Sequence, residues 1–301
     1  MGRYVLRRLL QLIPVFFGTT FIIYALVWAI PVDPFAGKCG QRPCPPEYVA
    51  KMRADFNLDD NLLVQYIKYL GKLFTGNFGQ TFSGVDVSTL IANAYPITIR
   101  LAIIALIIEA VIGIIAGVLT GLRKNGFLDN LVLISTLFLI SLPVFVTGFV
   151  LKLLFNVSVP NSAPFFDLIV PGFVLGSLSM AYVARLTRTS IAENRRADFV
   201  RTAIAKGLPG KRVVGVHLLR NSVIPVVTFL GTDLGALMGG AIVTEGVFNI
   251  HGIGGLVFIN IQQQQGVVVT GVVTLLVLVY LVMSLVVDLL YAVLDPRIRY
   301  E

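Results

Sequence analysis

The densest run of polar and basic groups in this sequence is Asp198-Phe-Val-Arg-Thr-Ala-Ile-Ala-Lys-Gly207, continued by Leu208-Pro-Gly-Lys-Arg212 and His217-Leu-Leu-Arg-Asn-Ser-Val-Ile-Pro225. Two chemistries suit such residues: cradling a phosphate and receiving a partner protein. A phosphate loop follows a strand and needs two glycines separated by four residues, then Lys and Ser or Thr, so that backbone amides can surround the phosphates. Here Ala205 stands in place of the first glycine, Arg212 in place of the hydroxyl residue, and no strand pattern precedes. The chain is therefore expected to bind and hydrolyse no nucleotide itself. Docking fits better. Phe199, Thr202, Ala203 and Lys206 recur at three- and four-residue spacing, flanked by Asp198 and Arg201, and Gly207, Leu208 and Pro209 follow as a helix stop. Small residues such as Ala203 and Ala205 would let this helix sit deep in a partner's groove. A basic surface helix lying in lipid headgroups is the other reading that these residues allow.

Other reactive groups are few. The two histidines are far apart, no Gly-x-Ser-x-Gly elbow occurs, and no His or Cys spacing suits a metal. Of the acids within apolar runs or near their ends, where a charge is costly and normally faces protein or water, Glu109, Asp233, Glu245 and Asp288 are the ones to weigh. Glu109 lies about 14 Å in from Arg100 at 1.5 Å per residue, on the face of Gly113 and Gly117. Asp233 is about 15 Å from the basic end of its own run, off the glycine face. A path lined by Asp233 would favour a cationic group such as a peptide amino terminus. A hydrogen bond or ion pair inside a bundle is the competing reading for Asp233 and Glu109 alike, and Glu245 is the third candidate for the path. Cys39 and Cys44, in Cys-Gly-Gln-Arg-Pro-Cys, suit a short disulfide in an oxidising compartment, with two free thiols as the alternative.

The elements that position these groups are membrane spans. Of 301 residues, 56% are apolar and 13% charged, with a mean hydropathy of +0.86, which excludes an ordinary soluble domain. Six apolar runs reach the roughly 20 residues that cross a bilayer: about Leu10–Ile30, Leu101–Leu122, Leu128–Phe155, Leu168–Leu186, Val223–Val247 and Val267–Leu294. Pro143 predicts a kink in the third. Arg3, Arg7 and Arg8, Arg123 and Lys124, nine basic residues from Arg185 to Arg220, and Arg297 and Arg299 alternate with loops 156–167 and 248–266, which hold no Lys or Arg. The positive-inside rule then places both termini in the cytoplasm. The formal +8 charge follows from that topology and from lipid headgroups, without nucleic acid. The first run is expected to stay as a span and not to be cleaved as a signal peptide.

The chain thus divides into a first span (1–30), a small extracytoplasmic cap (31–98) and a five-helix core (99–301) containing the cytoplasmic loop 186–222. In the cap, Pro45-Pro-Glu47 opens one short helix, Asp59 or Asp60 caps a second running to Phe74, and Gly76–Gly84 reads as turns with a short strand. Gly113, Gly117 and Gly121, and likewise Gly231, Gly235 and Gly239, lie along single helix faces where another helix can approach closely. Packing within the bundle and contact with a second subunit both fit.

At residues 198–225 the chain resembles the membrane-spanning permease subunits of ABC importers, in the B-type variant of dipeptide and oligopeptide systems. The general importer loop reads Glu-Ala-Ala-x3-Gly-x9-Ile-x-Leu-Pro; Ala203 and Gly207 match it, whereas Arg201-Thr202 replaces Glu-Ala and His217–Arg220 replaces Ile-x-Leu-Pro. The peptide-permease variant is similar to Asp198–Gly207 and His217–Pro225 as they stand. Further matches are Arg7-Arg8 with the first span, Leu58-Asp-Asp60 through Gly79, Gly239–Phe248 with Gly252-Ile-Gly254, and the ending Leu294-Asp-Pro-Arg-Ile-Arg-Tyr300. The resemblance implies an all-α polytopic bacterial inner-membrane protein of type I importer architecture, with six transmembrane helices and both termini inside. It implies a homologous C-type permease as partner, two ATPase subunits or domains docking at 198–208, and an extracytoplasmic peptide-binding protein. ATP and Mg would sit on the ATPases, and this chain would bind no cofactor. Alternatives are a secondary transporter, which usually shows paired inverted repeats not found here, or an importer of a nickel complex, glutathione or haem.

Overall fold

The computed structural model describes residues 2–29, 45–55, 57–81, 83–123, 126–239 and 241–294. Cys39, Cys44 and the 295–300 ending lie outside these residues. Among the described residues, four helices are long and apolar enough to cross a membrane: α1 (Gly2–Trp28), α4 (Val87–Leu122), α7 (Ile169–Asn194) and α14 (Gly266–Leu294). Three bent pairs could add to them. Helices α5 (Phe127–Ser141) and α6 (Val144–Leu154) meet at 104°, a helical stretch over 210–222 meets α11 (Ile224–Gly239) at 46°, and α12 (Ile242–Phe248) meets α13 (Ile253–Gln262) at 79°. Two short helices, α2 (Pro46–Asp55) and α3 (Leu62–Phe74), lie between α1 and α4. Among the described residues no strand forms: the glycine-rich 76–84 segment makes turns closed by one antiparallel bridge, Gln80 to Asp86, instead of the short strand its sequence suggests.

Several boundaries differ from those read in the apolar runs. Helix α4 begins at Val87, inside the segment assigned to the cap, and passes Pro96 without breaking. The charge of Arg100 marked a false boundary. Its guanidinium reaches along and off the helix to the carbonyls of Pro96, Ser162 and Ala163 at 3.3–3.4 Å, so the helix continues while the charge is satisfied elsewhere. Helix α7 runs eight residues past Leu186, to Asn194. The run Val223–Val247 is not one helix, because α11 ends at Gly239 and the chain turns into α12. The kink predicted at Pro143 is a full break, Ser141 ending α5 and Pro143 capping α6. Helix α3 is capped by Asn61, whose side chain accepts the Leu63 amide at 3.1 Å, and not by Asp59 or Asp60.

The centre of the bundle is the parallel pair α4–α7, which meets at glycines. A Cβ at Gly113 would lie 2.6 Å from Val183 Cγ1, and one at Gly121 would lie 2.7 Å from Ile191 Cγ2. At Gly117 it would meet the Thr187 side chain and, at 2.6 Å, the Ala184 carbonyl. Missing side chains bring the two backbones together, so this glycine face packs within the chain. Gly231 and Gly235 of α11 face Val287 and Met283 of α14 in the same way. Because backbone lies on the far side of Gly117, Gly117→Ala is expected to cost about 1–3 kcal/mol, as overpacking of a tight core does. Unfolding in mixed detergent micelles measures it, and a stability equal to wild type would refute the close approach.

Helices α1 and α14, by contrast, run antiparallel. Gly266 sits against Val27 and Trp28 at one end, and Arg8 pairs with Asp288 at 3.3 Å at the other.

Candidate functional site

The segment after α7 folds into a compact platform at the basic end of the bundle. Ala197 is extended and starts α8 (Asp198–Ala205). The helix ends where Gly207 adopts φ +73°, in the left-handed region that disfavours a side chain. The amides of Gly207 and Leu208 then turn back to the carbonyls of Ile204 and Ala203 at 2.9 and 3.3 Å. After Pro209 come α9 (Gly210–Arg212), one π-helical stretch over Val213–Leu218 and α10 (Leu219–Ser222). Such π turns insert a residue into the helical register and occur often at functional sites.

One face of α8 is already occupied. Val200 and Ala203 are buried with Ile191, Val213 and Leu218, against Val118 and Leu122 of α4. Ala203 therefore faces its own chain and not a partner's groove, which corrects the role that spacing alone suggests for it. Asp198, Arg201, Thr202, Ala205 and Lys206 point outward, flanked by Phe199 at 39% and Ile204 at 61% exposure. Ala205 is the small residue at the middle of that outward face. The exposed Asp198–Arg201 pair, at 3.9 Å, contributes little.

Residues that sequence reasoning passed over hold the platform still. Arg188 of α7 forms a two-pronged pair with Asp129 of α5, Nε to Oδ1 at 2.5 Å and Nη2 to Oδ2 at 2.8 Å, with Asp129 only 1% exposed. Arg195 donates to the last carbonyl of α4, Leu122, at 2.8 Å. Asn194 donates to Ser222 Oγ at 3.0 Å, and Ser222 donates to the Ser190 carbonyl. These bonds tie the end of α7, from which the chain leads into α8, to the ends of α4, α5 and α10. The available signal was Asp129 itself, an acid at the basic end of an apolar run.

The three acids of the candidate path do not form one group. Glu109 is fully buried between α4 and α7, beside Gly176, and neither of its carboxylate oxygens has a hydrogen-bond partner. Asp233 on α11 lies close enough to interact with it, with Ser179 of α7 alongside. Asp233 is itself partly exposed, although its Oδ2 is buried without a partner. Glu245 stands apart at the opposite end of the bundle, fully buried and satisfied. It accepts from Thr98 Oγ1 at 2.7 Å and from the Gly255 amide at 2.8 Å, while Thr98 accepts the Ile253 amide at 2.8 Å. Lys152 of α6 donates to the Val247 carbonyl at 2.5 Å. Together these bonds clasp the α12–α13 hairpin onto α4 and α6. Among the described residues no group of His, Cys, Asp and Glu suits a metal ion.

Comparison with known proteins matches nearly the whole length of the sequence. A family described as "Binding-protein-dependent transport system inner membrane component" matches residues 109–300, and its N-terminal counterpart, "Binding-prot-dependent transport system membrane comp, N-term", matches residues 1–102. The chain is 34% identical to the di/tripeptide transport system permease protein DppB of Pseudomonas aeruginosa and 33% identical to the dipeptide transport system permease protein DppB of Escherichia coli K12. It is 34% identical to the oligopeptide transport system permease protein OppB of Haemophilus influenzae. All three alignments cover 100% of both chains.

Proposed function

Because this chain belongs to the family of binding-protein-dependent transport system inner membrane components, we infer that it is the membrane-spanning permease subunit of a peptide ABC importer, a multi-pass protein of the bacterial inner membrane. Its work is transport and not catalysis. A permease of this kind acts with a second permease, ATPases and a binding protein. In our reading the second permease is a homologous C-type subunit, and ATP and Mg are held by two ATPase subunits or domains. Counting α5–α6 and the 210–222 stretch with α11 as one bent span each, and α12–α13 as a re-entrant hairpin, gives six spans with both termini on the basic side.

The observation that carries the docking role is the outward face of α8: a short helix with one face packed on its own chain and the other presenting Phe199, Thr202, Ile204, Ala205 and Lys206. A helix so anchored moves only with the ends of α4, α5 and α7, so force applied to it reaches the bundle core. Of the two interacting acids, Glu109 is closed off by α7, and Asp233 is the one that could meet a cationic solute group. The test is copurification of the ATPase subunits with the full permease pair. A charge at either flank of the docking face, Phe199→Asp or Ile204→Asp, is expected to lower recovery about tenfold, which is 1.4 kcal/mol of lost affinity. Unchanged recovery from both variants would sink the assignment of this face.

A further inference from the structure

The helix α3 offers a surface that the permease role leaves unused. It is fixed by two tyrosines three residues apart. Tyr66 shares a hydrogen bond of 2.7 Å with Thr20 and donates to the Phe17 carbonyl at 2.9 Å, both on α1. Tyr69 donates to Thr274 Oγ1 at 2.9 Å on α14. Tyr24 of α1 packs between them, its ring 5.8 Å from Tyr66 and 5.2 Å from Tyr69.

These partners fix how deep α3 sits. The ends of α1 and α14 meet where Gly266 touches Val27 and Trp28. Thr20 is eight residues below Trp28, and Thr274 is eight residues below Gly266. Both tyrosine hydroxyls therefore stand about 12 Å beneath the same rim, at 1.5 Å per residue. Equal depth on two neighbouring spans means that α3 crosses them, lying along the rim. The tyrosine side chains account for a good part of the depth, so the helix axis lies just below the rim.

At that level the rest of α3 sorts into two opposed faces. Leu63, Ile67 and Phe74 follow one another at four- and seven-residue intervals on a single stripe, with Ile67 66% and Phe74 70% exposed. Lys68 and Lys72 lie on the other side; Lys68 pairs with Asp60 at 2.5 Å, and Lys72 is exposed. A helix facing only water would not present Leu, Ile and Phe in a row, and a helix wholly in hydrocarbon would not present two lysines. An apolar stripe opposite a lysine stripe, about 5–10 Å below a membrane surface, is the pattern of a helix lying in the interface.

We propose that α3 is an interfacial helix whose Leu63–Ile67–Phe74 stripe is covered by the acyl chains of the outer leaflet, with Lys72 at headgroup level. The occupant is lipid, because the tyrosine contacts put the stripe below the level at which the spans end. This proposal rests on the membrane placement of the chain and not on its substrate. The test attaches a nitroxide spin label to Ile67→Cys, Phe74→Cys and Lys72→Cys, with Cys39 and Cys44 replaced by serine, in the assembled transporter reconstituted in lipid nanodiscs. Collision rates with oxygen, which concentrates in hydrocarbon, are compared with those of a water-soluble nickel chelate. Oxygen is expected to exceed the chelate at positions 67 and 74, and the ratio is expected to fall several-fold at 72. A chelate excess at 67 and 74 would show water, and low rates for both probes would show a covering protein; either overturns the proposal. A failed peptide-uptake assay with unchanged collision rates would count against the transport reading alone.

Discussion

Gly207→Val is expected to cut ATP-driven peptide uptake about 5- to 30-fold, the effect of 1–2 kcal/mol on a conformational equilibrium, while the protein still inserts and binds its permease partner. The cause is local. Gly207 has φ +73°, and a side chain there costs roughly 1–2 kcal/mol in L-residues, most for a β-branched one. Nothing lies within 4 Å of where its Cβ would be, so the penalty is backbone strain without a clash. Relief requires Gly207 to rotate, which breaks the return of the Gly207 and Leu208 amides to Ile204 and Ala203 and frees Lys206 and Ile204 from their positions. Docking would loosen, and ATP hydrolysis would run without transport. Gly207→Asn is the control, since asparagine tolerates the left-handed region and should retain most of the uptake. Uptake and ATPase rates from the reconstituted transporter check both. Valine equal to wild type, or asparagine as damaging as valine, would refute the capping argument.

The sequence made α8 and its stop legible because their causes are local: a glycine, a proline, and basic residues excluded from the bilayer. Which face of α8 looks outward was not legible. Ala203 and Ala205 are equivalent by type, and only the fold of Val213–Leu218 beneath the helix decides that Ala203 is covered. The break after Gly239 was equally hidden, because hydropathy continues through it and its reason is the Glu245–Thr98 clasp between positions 147 residues apart. Arg100 misled in the other direction, as a charge whose partners lie across the bundle and not at a helix end. The meeting of Glu109 with Asp233 depends on the α4–α7–α11 packing, and spacing along one helix cannot report it. The glycine rows were visible as rows; that α7 and α14 fill them became clear only from the packing.

Asp129→Ala is expected to destabilise the protein by about 3–5 kcal/mol, the cost of leaving one partner of a buried pair uncompensated. Arg188 remains behind with a side chain only 20% exposed, at the point where α5 is joined to α7. Asp129 is itself only 1% exposed, so solvent screens the pair little. Asp129→Asn keeps the shape and removes the charge, so it isolates the ionic part. The informative comparison is Arg188→Met with Asp129→Ala, which removes both charges. If the pair acts as a unit, the double variant is more stable than the sum of the two single losses predicts, by more than the 0.3–0.5 kcal/mol within which independent sites add. Unfolding midpoints in mixed detergent micelles measure all four, and simple additivity would show that Asp129 and Arg188 act separately. The same variants distinguish anchoring from docking. Loosening α5 from α7 should reduce uptake in proportion to the platform's lost order, while the ATPase subunits, which meet the outward face of α8, continue to copurify.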